Sequence, residues 1–371
     1  MTDRVVRHVV TLVSPDGRFG GPTKVALDLA AEQRRRGIDA SVFAGADGYE
    51  TLPTEWHGVP LGLARSRRLV PGMGFATTIA PGLRRKVLEG LTGTEIFHVH
   101  LARDLVTLPI AMALRSRSLP YVIHTHGMID ASSKRSAQIV DSLMTGRVVS
   151  SARTALVLTP DEGREIARLS AGATPSVLFE NGIPSRDDSE LQRRRGALFL
   201  GRLHPRKGAT TFATVAAELA SRYPDGTFRI AGPDEGDLSN VRNALAGVPG
   251  GERVALVGAV PPDEVIAHMH SAEVFVQPAV DEPFGMTILE AMSAGTPPIV
   301  HRTSALAPVI SEARAGWTFG SVDELRDRLT EALDSPQATA ATGARARRLA
   351  QERFSLSRVV EGLQDIYDAG A

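Results

Sequence analysis

Apolar residues along this chain fall into short runs, each followed by a longer amphipathic stretch. Arg7 to Val13 reads as a buried strand. Pro22 suits the first turn of a helix that runs from about Thr23 to Arg36 and ends at Gly37. Ile38 to Ala44, Ile96 to His100, Pro120 to Gly127, Ala155 to Leu158 and Val177 to Phe179 read as further strands. Helices are expected from about Leu105 and from about Glu162, the latter capped by the Thr159-Pro160-Asp161 turn. The alternation then repeats. Ala197 to Leu200, Phe228 to Gly232, Val254 to Gly258, Val274 to Gln277 and Ile299-Val300 are strand-like. Helices are expected from Ala209, over Glu264 to His270 and over Met286 to Ala294, with a final amphipathic helix from Phe354 to Tyr367. Strands alternating with helices twice over predict α/β architecture with two Rossmann-like, doubly wound domains.

Composition narrows the function classes. The chain has 371 residues, 43% hydrophobic and 23% charged, which suits two globular domains with sizeable cores. Polar residues from Ser185 to Arg195 have the composition of a linker between them. Lys plus Arg and Asp plus Glu balance at 42 each, so clustered excess cation for nucleic acid is lacking. There is no cysteine, which excludes disulfides, thiolate metal sites and cysteine nucleophiles. No segment has the pattern of a signal peptide or a membrane span, so a cytoplasmic location is expected. The stretch from Arg65 to Lys86 interleaves six basic residues with glycine and proline. It reads first as a solvated charged face. The alternative is weak peripheral contact with an anionic membrane, at its inner face, or with an anionic acceptor.

Candidate chemistry sits at the ends of strands. Ser14 to Gly21 is a glycine-rich loop between a strand and a helix, without the G-x-G-x-x-G spacing of a dinucleotide site. The Gly20 and Gly21 amides could meet a phosphate, or the loop could be an ordinary turn. His98 and His100 share one face of a strand, but no third metal ligand is suggested nearby. His124 and His126 stand at a C-terminal strand end, where ligands bind in open α/β sheets. GRLHPRKG places Arg202 and Lys207 around a glycine turn, which suits a diphosphate or a basic surface turn. Glu282 precedes the helix at Met286, and Glu290 lies on it, eight positions later. Read alone, the two are a solvated loop residue and a surface helix residue. The free amides of Gly285, Met286 and Thr287 at that helix start can meet an anion.

The segment EPFGMTILEAMSAGTPPIV resembles the E-x7-E segment of retaining, nucleotide-sugar-dependent glycosyltransferases of family 4. The resemblance extends to GRLHPRKG, to FGGPTKVALDLA, to the His-x-His strand and to His126, and covers nearly the whole chain. It implies a GT-B fold, with two Rossmann-like domains facing across a cleft. Residues 1–185 would form the acceptor domain and 190–354 the donor domain, with the helix of 355–371 packing back on the first. The implied activity is retaining transfer of a sugar from a UDP- or GDP-sugar to an acceptor hydroxyl. The resemblance assigns Arg202 and Lys207 to the leaving diphosphate, Glu282 to donor-sugar hydroxyls, Glu290 to the ribose diol and His126 to the sugar near the reacting centre. Gly20, Gly21, Gly285, Met286 and Thr287 would add backbone contacts, Phe284 would lie beside them, and Gly258 to Val260 would hold the base. His124 would be packing or support. The leaving phosphate would take the acceptor proton, so no protein nucleophile, cofactor or metal is expected, in keeping with the lack of an Asp-x-Asp sequence. The acceptor is not implied. A sugar-nucleotide epimerase and a non-catalytic nucleotide-sugar-binding protein are the alternative readings.

Overall fold

The computed structural model describes residues 4–15, 20–70, 74–129, 141–184 and 194–369. It divides into two compact units: 1–182 with 356–371, and 183–355. Residues 185–193 of the expected linker, Pro71 and Gly72 of the basic stretch, and residues 16–19 of the glycine loop lie outside the described residues.

The first unit is built on parallel strands β1 (Val5–Val13), β2 (Asp39–Ala46), β3 (Val59–Arg65), β4 (Glu95–His100), β5 (Tyr121–His124), β6 (Ala155–Val157) and β7 (Ser176–Leu178). Their order is β7-β6-β5-β4-β1-β2-β3, with Glu55–Trp56 antiparallel at the far edge. The chain starts in the middle, winds one way to β3, then returns to β4 beside β1, so strand order reverses between β1 and β4. Alternate residues of a strand point to opposite faces. Val9, Phe97, Val99, Tyr121 and Ile123 build the core on one face. His8, His98, His100 and His124 take the other, because register sets His8 opposite His98 and His100 opposite His124. Helix α1 (Gly20–Arg35) follows β1, and α2 (Thr107–Ser116) follows β4. Gly20 and Gly21 were expected in a loop; they are already in the first turn of α1, since Pro22 with its fixed φ can follow them inside a helix start.

Residues 45–95, the least legible from sequence, hold β3, the two-stranded Arg67–Arg68/Thr78–Ile79 ribbon and a short helix, Leu83–Val87. Arg67 and Arg68 are exposed, as are the neighbouring Leu69 and Val70. None of the described helices is long and apolar enough to cross a membrane. The last helix, α8 (Leu356–Ala369), is counted with the first unit. Arg36 donates to the Ser357 carbonyl at 2.5 Å, and the Tyr367 hydroxyl meets His98 Nδ1 at 2.7 Å.

The second unit has parallel strands β8 (Ala197–Leu200), β9 (Phe228–Ala231), β10 (Val254–Gly258), β11 (Val274–Gln277), β12 (Pro298–His301) and β13 (Trp317–Phe319), in the order β10-β9-β8-β11-β12-β13. Here the order reverses between β8 and β11. Helices α4 (Ala209–Ala220), α5 (Met286–Ser293), α6 (Val322–Asp334) and α7 (Pro336–Arg353) accompany the sheet. Phe199, Phe212, Phe228 and Ile230 centre its core.

Candidate active site

In doubly wound sheets, ligands bind beyond the C-terminal strand ends where strand order reverses. In the second unit that place lies between β8 and β11. After β8 the chain runs beside the end of β9: Gly201 N donates to Ala231 O at 3.0 Å and Leu203 N to Pro233 O at 2.8 Å. Gly232 has φ 140°, and a Cβ there would overlap the Gly201 carbonyl oxygen, so only glycine fits. His204 Nδ1 accepts from Arg206 N and caps a single turn, Pro205–Lys207. Gly208 follows in the left-handed region, and a Cβ on it would stand 2.8 Å from Cβ of Pro278, the residue after β11.

That close approach brings Lys207 to the β11–α5 loop. Its Nζ lies 2.6 Å from Glu282 Oε2, and Glu282 is only 7% exposed. The loop is tied to the chain beyond β12: Asp281 N donates to Thr303 Oγ1 at 2.8 Å, and Glu282 O accepts from Ala305 N at 3.0 Å. Gly285, with φ 73°, precedes α5; a Cβ there would stand 2.6 Å from Ile288 Cδ1. Glu290 is buried in α5, so neither glutamate is the solvated surface residue that a context-free reading gives. Phe284 is also buried and meets Phe354 edge-on, with ring centroids 6.1 Å apart. Its ring is a core contact, which leaves only its backbone to face a ligand. Arg202 is exposed and paired with Glu235 at 2.7 Å. Gly258 ends β10 with φ 82°, and its carbonyl accepts from Gly232 N at 2.7 Å. Val260, two residues on, is half-buried.

In the first unit, His126 lies two residues beyond the end of β5 with φ 51°, a left-handed conformation that costs a residue with a Cβ about 1–2 kcal/mol. Glu162, in α3 (Pro160–Leu169), holds it there from both sides. Its Oε1 accepts from Gly127 N at 2.6 Å and from Thr125 Oγ1, while Oε2 accepts from Leu158 N at 2.7 Å. The His126 ring stacks on His124, 3.7 Å between centroids, and its Nε2 lies 2.7 Å from His100 Nδ1. Burial pushes the His126 imidazole down to about 3, so it is neutral at ordinary pH. His98, His100 and His124 are fully or almost fully buried, which places all three in the interior.

The expectation that His98 and His100 lack a third metal-type neighbour is corrected. His8 joins them, and His124 with His126 joins His100, with the nitrogens of each trio within 4.8 Å of one another. The partners come from other strands, so spacing along one strand could not show them. Sequence reasoning also missed Glu162, Gln33 and Tyr367. The one available signal was His8, a polar residue inside a strand otherwise set for burial.

The description "Glycosyl transferase 4-like domain" matches residues 20–182, and "Glycosyl transferases group 1" matches 185–349. The chain belongs to the GT4-type glycosyltransferases. Its relatives include D-inositol 3-phosphate glycosyltransferase of Acidothermus cellulolyticus, 26% identical over 95% of this chain and 86% of that protein. A second is GDP-mannose:cellobiosyl-diphosphopolyprenol alpha-mannosyltransferase of Xanthomonas campestris, 26% identical over 90% of this chain and 87% of that protein. Among solved structures, sucrose-phosphate synthase of Thermosynechococcus elongatus superimposes with TM-score 0.76 at 17% identity, covering 99% of each chain. Anabaena HepE in complex with UDP-glucose does so with TM-score 0.75 at 18% identity, over 98% of this chain and 99% of that one. The fold of this GT4-type chain is therefore GT-B.

Proposed function

We propose that this glycosyltransferase moves a sugar from a UDP- or GDP-sugar to an acceptor hydroxyl with retention at the anomeric carbon. The observation that carries the reading is the Lys207–Glu282 pair at the strand-order reversal of the second unit, just ahead of the Gly285–Thr287 start of α5. A cation, a carboxylate and free amides then stand together where an α/β sheet receives its ligand.

The roles are those the family resemblance implies. Lys207, with Arg202 and the amides of Gly285, Met286 and Thr287, stabilises the charge that develops on the leaving diphosphate. Glu282, held by Lys207, accepts hydrogen bonds from donor-sugar hydroxyls. Glu290 takes the ribose diol, and the Gly258–Val260 backbone takes the base. Gly20 and Gly21, in the first turn of α1, offer amides to phosphate, and His126 contacts the donor sugar. The acceptor oxygen bonds to the anomeric carbon as the carbon–phosphate oxygen bond breaks, and its proton passes to the leaving phosphate on the same face. No protein nucleophile enters, and the protein's contribution is positioning and electrostatics. The names of the relatives and neighbours supply the first substrates to try: UDP-glucose and GDP-mannose as donors, D-inositol 3-phosphate as acceptor. Weak association with anionic membranes through the stretch Arg65 to Lys86, in which Arg67, Arg68, Leu69 and Val70 are exposed, is a secondary proposal, and equal sedimentation with neutral and anionic vesicles would exclude it.

The test is a thermal-shift screen against UDP, GDP, ADP and their sugar conjugates, since a ligand of the folded state alone raises the melting temperature. One nucleotide series is expected to shift it selectively. Incubation with that donor and candidate acceptors, followed by proton NMR of the anomeric centre, then reads transfer and stereochemistry. No shift with any nucleotide, inversion at the anomeric carbon, or conversion of the donor to its epimer without acceptor would each defeat the reading.

A further inference from the structure

Three of the five clustered histidines are joined end to end. His8 Nε2 lies 2.8 Å from Gln33 Oε1, His8 Nδ1 lies 3.1 Å from His100 Nε2, and His100 Nδ1 lies 2.7 Å from His126 Nε2. Gln33 and His8 are fully buried, and His100 nearly so. A neutral imidazole has one N–H and one lone pair, and an amide oxygen only accepts. With the Gln33 amide turned so that Oε1 faces His8 and the buried Nε2 has no hydrogen bond among the described residues, these two facts fix every proton in the chain. Gln33 Oε1 requires the N–H of His8 on Nε2, which leaves His8 Nδ1 as a lone pair. His100 must then donate from Nε2, leaving its Nδ1 to accept from His126 Nε2–H. His126 Nδ1, at the half-buried end, is left as a bare lone pair, without a hydrogen bond among the described residues.

The rings are neutral, as the argument requires. Burial pushes His8 down to about 4 despite its Gln33 bond, and burial followed by the neighbouring histidines pushes His100 well below the usual range. A divalent ion fits the cluster less well. Both histidine trios lack a carboxylate. Uncompensated charge in a buried site costs several kcal/mol on the order of magnitude, and coordination by His100 would take up nitrogens already hydrogen-bonded to His8 and His126.

We propose that Gln33 is a positioning residue which, through His8 and His100, sets the tautomer of His126, so that His126 meets its ligand through Nδ1 as a hydrogen-bond acceptor. The matching ligand group is a hydroxyl that donates, and its assignment to the donor sugar rests on the function proposed above. Nothing in the chain lets His126 serve as an acid from that nitrogen.

The test uses the full chain labelled with 15N-histidine and long-range proton–nitrogen correlation NMR, without substrate. His8→Asn, His100→Asn and His126→Asn assign the signals. His8, His100 and His126 are all expected as Nε2–H tautomers. Gln33→Met removes the acceptor at the chain's end and turns His126 into a mixture of tautomers. An Nδ1–H signal for wild-type His126, an unchanged His126 in folded Gln33→Met, or stoichiometric zinc in the purified protein would overturn the proposal. Should Gln33→Met fail to fold, His8→Phe breaks the same relay, and an unchanged His126 in it would equally overturn the proposal. Because no donor is present, a negative result leaves the transferase reading intact, and a negative nucleotide screen leaves the tautomer result intact.

Discussion

Lys207 and Glu282 are bound to each other before any substrate arrives, so two effects are coupled in one contact. Lys207→Ala removes the cation proposed to face the diphosphate and also leaves a buried carboxylate unpaired. The first effect is expected to lower turnover by at least about 100-fold, the scale of a lost transition-state donor. The second is expected to cost about 1–3 kcal/mol of stability. Lys207→Ala/Glu282→Gln separates them. The double variant should regain most of the stability, because the orphaned charge is gone, but not the turnover. Steady-state rates with the donor chosen by thermal shift, together with urea unfolding, check both halves. A single variant near wild-type rate would remove Lys207 from the diphosphate site.

At the scale of elements, glycines at strand ends decide how closely the loops of the second unit approach. Gly232 and Gly258 both have positive φ, but for different reasons. A side chain at Gly232 would overlap the Gly201 carbonyl oxygen, whereas one at Gly258 would meet open space within 4 Å. Gly258→Ala should therefore cost only the conformational strain, about 1–2 kcal/mol. Gly232→Ala must also push β9 away from the turn after β8, and is expected to cost more than about 3 kcal/mol or to prevent folding of the unit. Denaturant midpoints of the two variants measure the contrast. Equal losses would show that the β8 turn yields easily, and would weaken the view that it holds Lys207 rigidly.

At the scale of the whole molecule, the buried histidines concentrate in one unit. His8, His98, His100, His124 and His126 are all held below the ordinary imidazole range, chiefly by burial. In the unfolded chain the same rings titrate near 6.5. The unfolded state therefore binds more protons below that pH, and stability rises with pH through the window. It is complete above about 6.5 and falls as pH drops towards about 4, where His8 itself titrates. Each such ring contributes up to about 1.4 kcal/mol per pH unit in that interval. The first unit should unfold in acid before the second. The chain has two tryptophans, Trp56 in the first unit and Trp317 in the second. Trp317→Phe and Trp56→Phe thus give one fluorescent reporter for each. Coincident acid transitions would show that the cluster does not control acid stability.

Local sequence was enough for much of this protein. Parallel strands buried on both faces need apolar runs, and the helices between them need amphipathic stretches, so alternating α/β architecture is written in the order of residues. Lys207 and Glu282 sit beside Gly208 and Pro283, which mark strand-to-helix turns, but read alone they were surface residues; it was the resemblance of GRLHPRKG and EPFGMTILEAM to the family that singled them out. Tertiary structure decided what depends on register and crossover. Whether His8 faces His98, whether Gln33 reaches His8, and whether Lys207 bonds to Glu282 rather than to solvent are set by which strands lie side by side. Spacing along one strand carries no information about its neighbour. The same holds for burial: a glutamate on a short helix looks solvated until the fold closes over it, as it does at Glu290.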